Sequence, residues 1–140
     1  MNRRAVLSNL KTVLEAAVGI TTVVRSYSEY DISQVGSANL PLIVIPEPGE
    51  DNDPELTSMR AMSTLDTTIK IYFVDWNDTV QSTFGTLVKN IRDQIGNNFT
   101  LNTAATTCRV MSISSVQGEL PLWFFEIDLR TRYYLNQKNT

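Results

Sequence analysis

The chain has 140 residues, of which 42% are hydrophobic and 19% are charged, and its formal net charge is -3. This length predicts one domain over 1–140, and the negative charge argues against a dedicated nucleic-acid binder. The sequence contains no histidine, which removes the commonest general base and the commonest zinc ligand. We therefore predict a non-enzymatic domain that has no cofactor and no metal.

Two features of the sequence bear on localisation. The apolar runs are far shorter than the ~20 residues that span a bilayer, and polar Ser8, Asn9 and Lys11 interrupt any apolar segment near the N-terminus. The single cysteine, Cys108, cannot form an intramolecular disulfide and fits a reducing compartment. We expect no membrane partner, and a protein that stays in the cytoplasm where it is made.

The first part of the chain carries one helix pattern and two strand patterns. Apolar residues at spacings of three and four predict a helix over 3–18, with Gly19 as its stop. A strand rich in β-branched residues follows over 20–27, and a short apolar strand follows over 40–45. The polar stretch 28–39 between them predicts a loop.

The next segment, over about 46–57, predicts an exposed acidic loop because it combines three prolines with a glycine. Its acidic residues are Glu47, Glu50, Asp51, Asp53 and Glu55. The rest of the chain then holds ten acids against twelve basic residues, so most of the protein is mildly basic. A helix–loop–helix calcium site would need glycine and an acid where Leu56 and Met62 stand. A solvated or partner-facing loop is therefore favoured.

Strand and helix patterns alternate again in the second half of the chain. In order, they predict a strand over 61–75, a helix ending at Gly96, a loop over 97–107, a strand over 109–116, a turn over 117–119, a long strand over 122–134 and a polar tail over 136–140. Asp78, followed three residues later by Gln81, predicts the N-cap of this helix. The pattern gives the loop over 97–107 no role.

The side chains of the C-terminal strand alternate in type with a period of two. One face carries Trp123, Phe125, Ile127, Leu129 and Tyr133, interrupted by Thr131, and the other carries Glu126, Asp128, Arg130 and Arg132. Two helices with one apolar stripe each can cover only one face of such a sheet. We therefore predict an α+β fold: a two-layer sandwich of a mostly antiparallel sheet of about five strands, with two helices packed on one face.

The face that the helices leave uncovered is the candidate subunit or partner interface. Its predicted members are Lys70, Tyr72, Glu126, Asp128, Arg130 and Arg132. Glu126 and Asp128 lie roughly 7 Å apart by strand rise, a spacing at which two carboxylates could hydrolyse a glycoside. The two arginines on the same face would keep both carboxylates ionised. Salt-bridge ladders with adjacent strands or subunits are therefore favoured over catalysis.

The order of these elements resembles that of the tail terminator proteins of long-tailed bacteriophages, over about residues 3–135. The likeness consists of an amphipathic N-terminal helix, a Pro-led apolar strand over 40–45, an acidic excursion over 47–55, a long strand over 67–74 and a closing hairpin that ends in the aromatic strand 122–134. It is a match of pattern and order.

The resemblance implies a structural virion protein of the tail or neck, which forms a hexameric ring. Such a ring caps the tail tube, stops its polymerisation and joins it to head-completion or neck proteins. DNA passes through its lumen without sequence-specific binding, and the acidic residues of 47–55 could line that lumen or face a partner. Two alternatives stay open: another neck or tail component, such as a head-closure or tail tube protein, and an unrelated cytoplasmic binding domain or small enzyme.

Overall fold

The computed structural model describes residues 3–26, 32, 36–46 and 61–135. The described elements are α1 (Arg3–Glu15), β1 (Thr22–Ser26), β2 (Leu42–Pro46), β3 (Ala61–Val74), α2 (Val80–Asn97), β4 (Thr107–Ile113), β5 (Gln117–Glu119) and β6 (Leu122–Leu135). The acidic residues Glu47, Glu50, Asp51, Asp53 and Glu55 and the predicted tail over 136–140 lie outside the described residues.

The described strands form one mixed sheet in the order β1-β2-β3-β6-β4, with β5 paired to the start of β6. β1 and β2 run parallel, and the other pairs are antiparallel, which confirms the α+β prediction. The sheet has six strands rather than about five, because residues 117–119 pair with 122–124 instead of forming only a turn. Gly118 permits this tight return with a φ of 129°, where a Cβ would come 2.5 Å from the Leu122 carbonyl oxygen.

Both helices pack on the same face of the sheet, and the main hydrophobic core lies between them and the strands. The ring of Phe84 on α2 meets that of Phe125 on β6 edge-on, with 4.8 Å between the ring centroids. Thr131, which interrupts the apolar alternation of β6, is buried in this core together with Cys108 opposite it. Burial raises the pKa of the Cys108 thiol, so this cysteine behaves as a small buried hydrophobe.

The other face is partly covered, and the prediction of a wholly uncovered face is therefore wrong at one end. Adjacent parallel strands require the chain that joins them to return across the sheet. Ile32, in the connection between β1 and β2, packs against a second apolar cluster formed by Leu42, Val44 and Tyr72. Tyr72 is only 6% exposed as a result.

The ends of both helices differ in detail from the prediction. α1 ends at Glu15 rather than at 18, and Gly19 adopts a φ of 87° in the turn that follows. Asp78 does not cap α2, because the helix begins at Val80 and its N-cap residue, Thr79, makes no side-chain capping bond.

The carboxylate of Asp75 organises the start of α2 instead. It accepts hydrogen bonds from the backbone N–H of Asn77 at 2.8 Å and from the hydroxyls of Thr79 at 2.7 Å and Thr83 at 3.1 Å. The bond from the Thr79 hydroxyl, followed by the bond from Asn77, lowers the pKa of Asp75 below its usual value. Asp75 is buried, so these donors replace the water that the carboxylate loses.

The loop over 97–107 is part of the core rather than a polar surface loop. Leu101 is fully buried, and Ala104 and Ala105 are also buried beside it. Three consecutive non-glycine residues, Leu101, Asn102 and Thr103, have φ values of 47°, 57° and 70°. This left-handed turn directs Leu101 under the sheet at a conformational cost of about 1–2 kcal/mol per residue.

We expect Thr103→Gly to stabilise the protein by about 1 kcal/mol, because a β-branched residue pays the most for a positive φ and glycine pays almost nothing. Thr106→Gly, in the same loop but without a positive φ, is the matched control and should destabilise. Urea unfolding would measure both, and a Thr103→Gly variant less stable than the parent would contradict the expectation.

We also expect the stability contributed by Asp75 to depend on pH. Because its folded pKa is lowered, its contribution is fully present above the unfolded value of ~3.9 and is lost as pH falls through the folded pKa. Asp75→Asn should therefore lower the Tm at pH 7, and its deficit should shrink in acid. The exposed neighbour Asp78 provides the control, Asp78→Asn, for which no comparable deficit is expected. Equal Tm values for Asp75→Asn and the parent at pH 7 would refute this role.

Candidate functional site on the open sheet face

The term "open face" denotes the side of β3, β6 and β4 that lies opposite the helices. Its residues lie in rows because the register of these strands sets them directly opposite one another. From the C-terminal end of β3 to its N-terminal end, the rows are Val74/Leu122, Tyr72/Phe124, Lys70/Glu126, Thr68/Asp128/Ser112, Asp66/Arg130/Arg109, Thr64/Arg132/Thr107 and Met62/Tyr134. The face therefore changes from apolar to charged along the strands and ends in the exposed apolar row Met62/Tyr134.

The apolar rows belong to the second cluster and hold Lys70 in place. Its ammonium lies 4.3 Å from the ring centroid of Phe124 and 5.3 Å from that of Tyr72. This is cation–π geometry, with Glu126 opposite on β6. Tyr72, although predicted as an interface residue, is buried in the isolated chain, so it supports Lys70 and offers a partner little surface.

Asp128 is held by two hydroxyl groups, one from each neighbouring strand. Thr68 donates to one carboxylate oxygen and Ser112 to the other, each at 2.6 Å. The bond from Ser112, followed by that from Thr68, lowers the pKa of Asp128. A general acid needs the opposite shift, so this carboxylate is arranged as a fixed negative charge rather than as a proton donor.

In the row after that of Asp128, Arg130 forms an ion pair with Asp66, which lies opposite it on β3. Its Nε lies 2.9 Å from one carboxylate oxygen of Asp66, and its Nη2 lies 3.4 Å from the other. The hydrogen bond lowers the pKa of Asp66 and raises that of Arg130. Asp66 is exposed and Arg130 is half-buried, so the pair contributes more to the orientation of Arg130 than to stability.

Three arginines lie together in this row and the next one, and we call Arg109, Arg130 and Arg132 the arginine cluster. Arg109 on β4 stands directly opposite Arg130, and Arg132 lies two residues further along β6. Among the described residues, the ion pair that this cluster forms is the one between Arg130 and Asp66. Like charges directly opposite each other in a sheet are destabilising. The open face therefore keeps an excess of positive charge at this end.

A bulge in β4 shapes the surface beside the cluster. The register shifts between Val110 and Ser112, which leaves Met111 as the extra residue, 44% exposed. Met111 lines a shallow groove of about 340 Å³ with Ser112, Asp128 and Arg130. Most of the polar groups in this groove already bond to one another, which suits contact with a protein surface better than enclosure of a small ligand.

The described residues hold no group of three or more Cys, Asp or Glu side chains that could bind a metal ion. None of their helices is long and apolar enough to cross a membrane.

The sequence patterns did not identify several residues of this face. Asp66 could have been found, since it continues the alternation of Thr68 and Lys70 along β3 by one further step. Arg109 and Ser112 could not, because their place depends on the pairing of β4 with β6 and on the bulge at Met111. The predicted residues Glu126, Asp128, Arg130 and Arg132 do share the open face, as the alternation indicated.

Comparison with protein-family models finds no family that matches the chain, and a search of curated proteins finds no similar sequence.

We expect the pKa of Asp128 to rise towards its ordinary value when its donors are removed. Ser112→Ala should raise it more than Thr68→Val, because the bond from Ser112 has the larger effect. Thr64→Val lies on the same face without contacting Asp128 and is the matched control. Carboxyl chemical shifts recorded against pH by NMR would measure all three variants, and an unchanged pKa in Ser112→Ala would disprove the arrangement.

Proposed function

We propose that this chain is a structural virion protein, a ring-forming tail terminator. It caps the tail tube, stops its polymerisation and joins the tube to head-completion or neck proteins. The observation that carries the proposal is the open face, where charged rows run along β3 and β6 on the side that the helices leave free. The order of the elements, to which the resemblance to tail terminators applies, supports it further.

The open face has the physical properties of a protein contact surface. Its charges stand on a sheet, and hydroxyl groups or opposite charges already orient Asp128 and Arg130. Binding therefore orders few additional side chains, which reduces the entropic cost of association. Charges of both signs in a fixed arrangement also favour one register of contact over others.

In this proposal the chain forms a hexamer in the tail or neck of the virion, and DNA passes through the lumen without being read. The acidic residues Glu47, Glu50, Asp51, Asp53 and Glu55 line the lumen or face a partner. An acidic lumen would repel phosphate groups and let DNA slide.

The test uses the purified chain and polymerising tail tube protein from the same virus. We expect tubes that stop growing, each with a ring at one end, in negative-stain images. Arg132→Glu should weaken ring formation, because it reverses an exposed charge of the open face. Arg92→Glu makes the same change on the exposed side of α2 and is the control, so it should cap tubes normally.

Each result distinguishes the proposal from an alternative. Rings that bind tubes without stopping their growth would favour another neck component, and co-polymerisation would favour a tube protein. A chain that neither forms rings nor binds tubes would overturn the proposal in favour of an unrelated binding domain or small enzyme.

A further inference from the structure

A second charged and apolar patch lies at the opposite end of the β3–β6 pair, and we call it the acidic end. The backbone N–H of Asp75 donates to the carbonyl of Pro121 at 2.8 Å, so the residues that follow β3 lie beside those that precede β6. Trp76 and Leu120 are 68% and 59% exposed there. The carboxylates of Asp78, which follows Trp76 after β3, and of Glu119, the last residue of β5, are exposed as well.

The arginine cluster lies far from the acidic end along the same strands. Leu122 and Arg132 are ten residues apart on β6, which corresponds to about 33 Å. The arginine cluster also has exposed apolar neighbours, because Met62 and Tyr134 form the next row of the open face and Met111 protrudes at the bulge. Each patch therefore combines an excess of one sign of charge with large exposed apolar side chains.

This separation of charge decides how two copies can meet through these patches. A contact that places one patch against the same patch of another copy would oppose arginines to arginines or carboxylates to carboxylates. A contact between the two different patches pairs opposite charges and also covers Trp76 and Leu120. We propose that the acidic end of one copy docks against the arginine cluster of the next copy. This inference rests on the proposed function and names the contact that holds the ring together.

The surroundings of the arginine cluster favour a second copy over a nucleic acid as its partner. Asp66 lies in the row of Arg130 and Asp128 lies in the adjoining row, so the positive charge is confined to a short stretch of the face, whereas a nucleic acid presents a continuous chain of phosphates. Phosphates would also leave Met111 and Tyr134 uncovered. A protein patch that carries two carboxylates beside two large apolar side chains matches both properties.

Head-to-tail contacts also have the geometry that a ring requires. Each copy contacts one neighbour through its acidic end and the other neighbour through its arginine cluster. An open chain of copies therefore has one unpaired patch at each end, and both become paired when the rotation between copies closes a ring. The patches adjoin opposite ends of the β3–β6 pair, whose unbroken pairing over 14 residues per strand sets the distance between them.

Charge reversal on either patch tests the contact. Arg109→Glu/Arg132→Glu reverses one patch, and Asp78→Lys/Glu119→Lys reverses the other; both avoid Arg130, which is engaged with Asp66. Each variant alone should dissociate at least about tenfold more readily than the parent, because like charges then face each other. An equimolar mixture of the two variants should regain the association, since every contact in it pairs opposite charges.

Sedimentation velocity at low and high salt would measure these associations. Lys89→Glu/Arg92→Glu on α2 makes the same change in net charge as Arg109→Glu/Arg132→Glu but away from both patches, so it should associate like the parent. Asp78→Asn/Glu119→Gln, which removes the charges without reversing them, should give an intermediate loss. Trp76→Ser should weaken association, whereas Val18→Ser, at a residue exposed to 75%, should not. Circular dichroism and thermal melts confirm that each variant is folded.

The outcomes separate this inference from the proposed function. A parent chain that stays monomeric at low salt, or a mixture of reversed variants that does not associate, would overturn the inference even if the chain still capped tail tubes. Restored association in the mixture would support the inference, and rings that then failed to stop tube growth would overturn the tail terminator proposal alone.

Discussion

The pairing of β3 with β6 is the constraint on which the rest of the structure depends. The two strands run antiparallel in one unbroken register, from Ala61 opposite Leu135 to Val74 opposite Leu122. A shift of one residue would turn Ile127 outward and bring Asp128 into the core, so burial fixes the register. The same register sets Asp66 opposite Arg130 and Thr68 opposite Asp128. The open face is therefore positioned by the energetics of the core beneath it.

The parallel pair of β1 and β2 determines how much of the second face remains available. Ile32 and Leu40, in the connection between these strands, pack against Leu42, Val44 and Tyr72, and Phe124 packs beside them. The part of the face further along β3 and β6 carries the charged rows. A single sheet surface is thus divided into an apolar half that contributes to stability and a charged half that suits recognition.

Periodicity in the sequence was enough to predict the two layers, the long strands and the shared face of Glu126, Asp128, Arg130 and Arg132. Local patterns could not predict what depends on pairing between distant segments. Arg109 reached the face through the register of β4, and β5 formed where a turn was expected. The role of Leu101 was also hidden, because a left-handed turn of three non-glycine residues has no sequence signature. Asp75 rather than Asp78 accepts the hydrogen bonds at the start of α2. The position of Asp75 after β3 in the folded chain decided this, and the local sequence pattern for an N-cap at Asp78 did not.

The bulge at Met111 protects the protein against aggregation when many copies are present at high concentration. β4 is the outermost strand on its side of the sheet as described, and a regular outer strand is a template for fibrous aggregation through main-chain pairing. The extra residue interrupts the ladder, and the charge of exposed Arg109 beside it discourages an incoming strand. Contacts through side chains are then favoured over sheet extension on this side, and such contacts remain reversible and responsive to ionic strength.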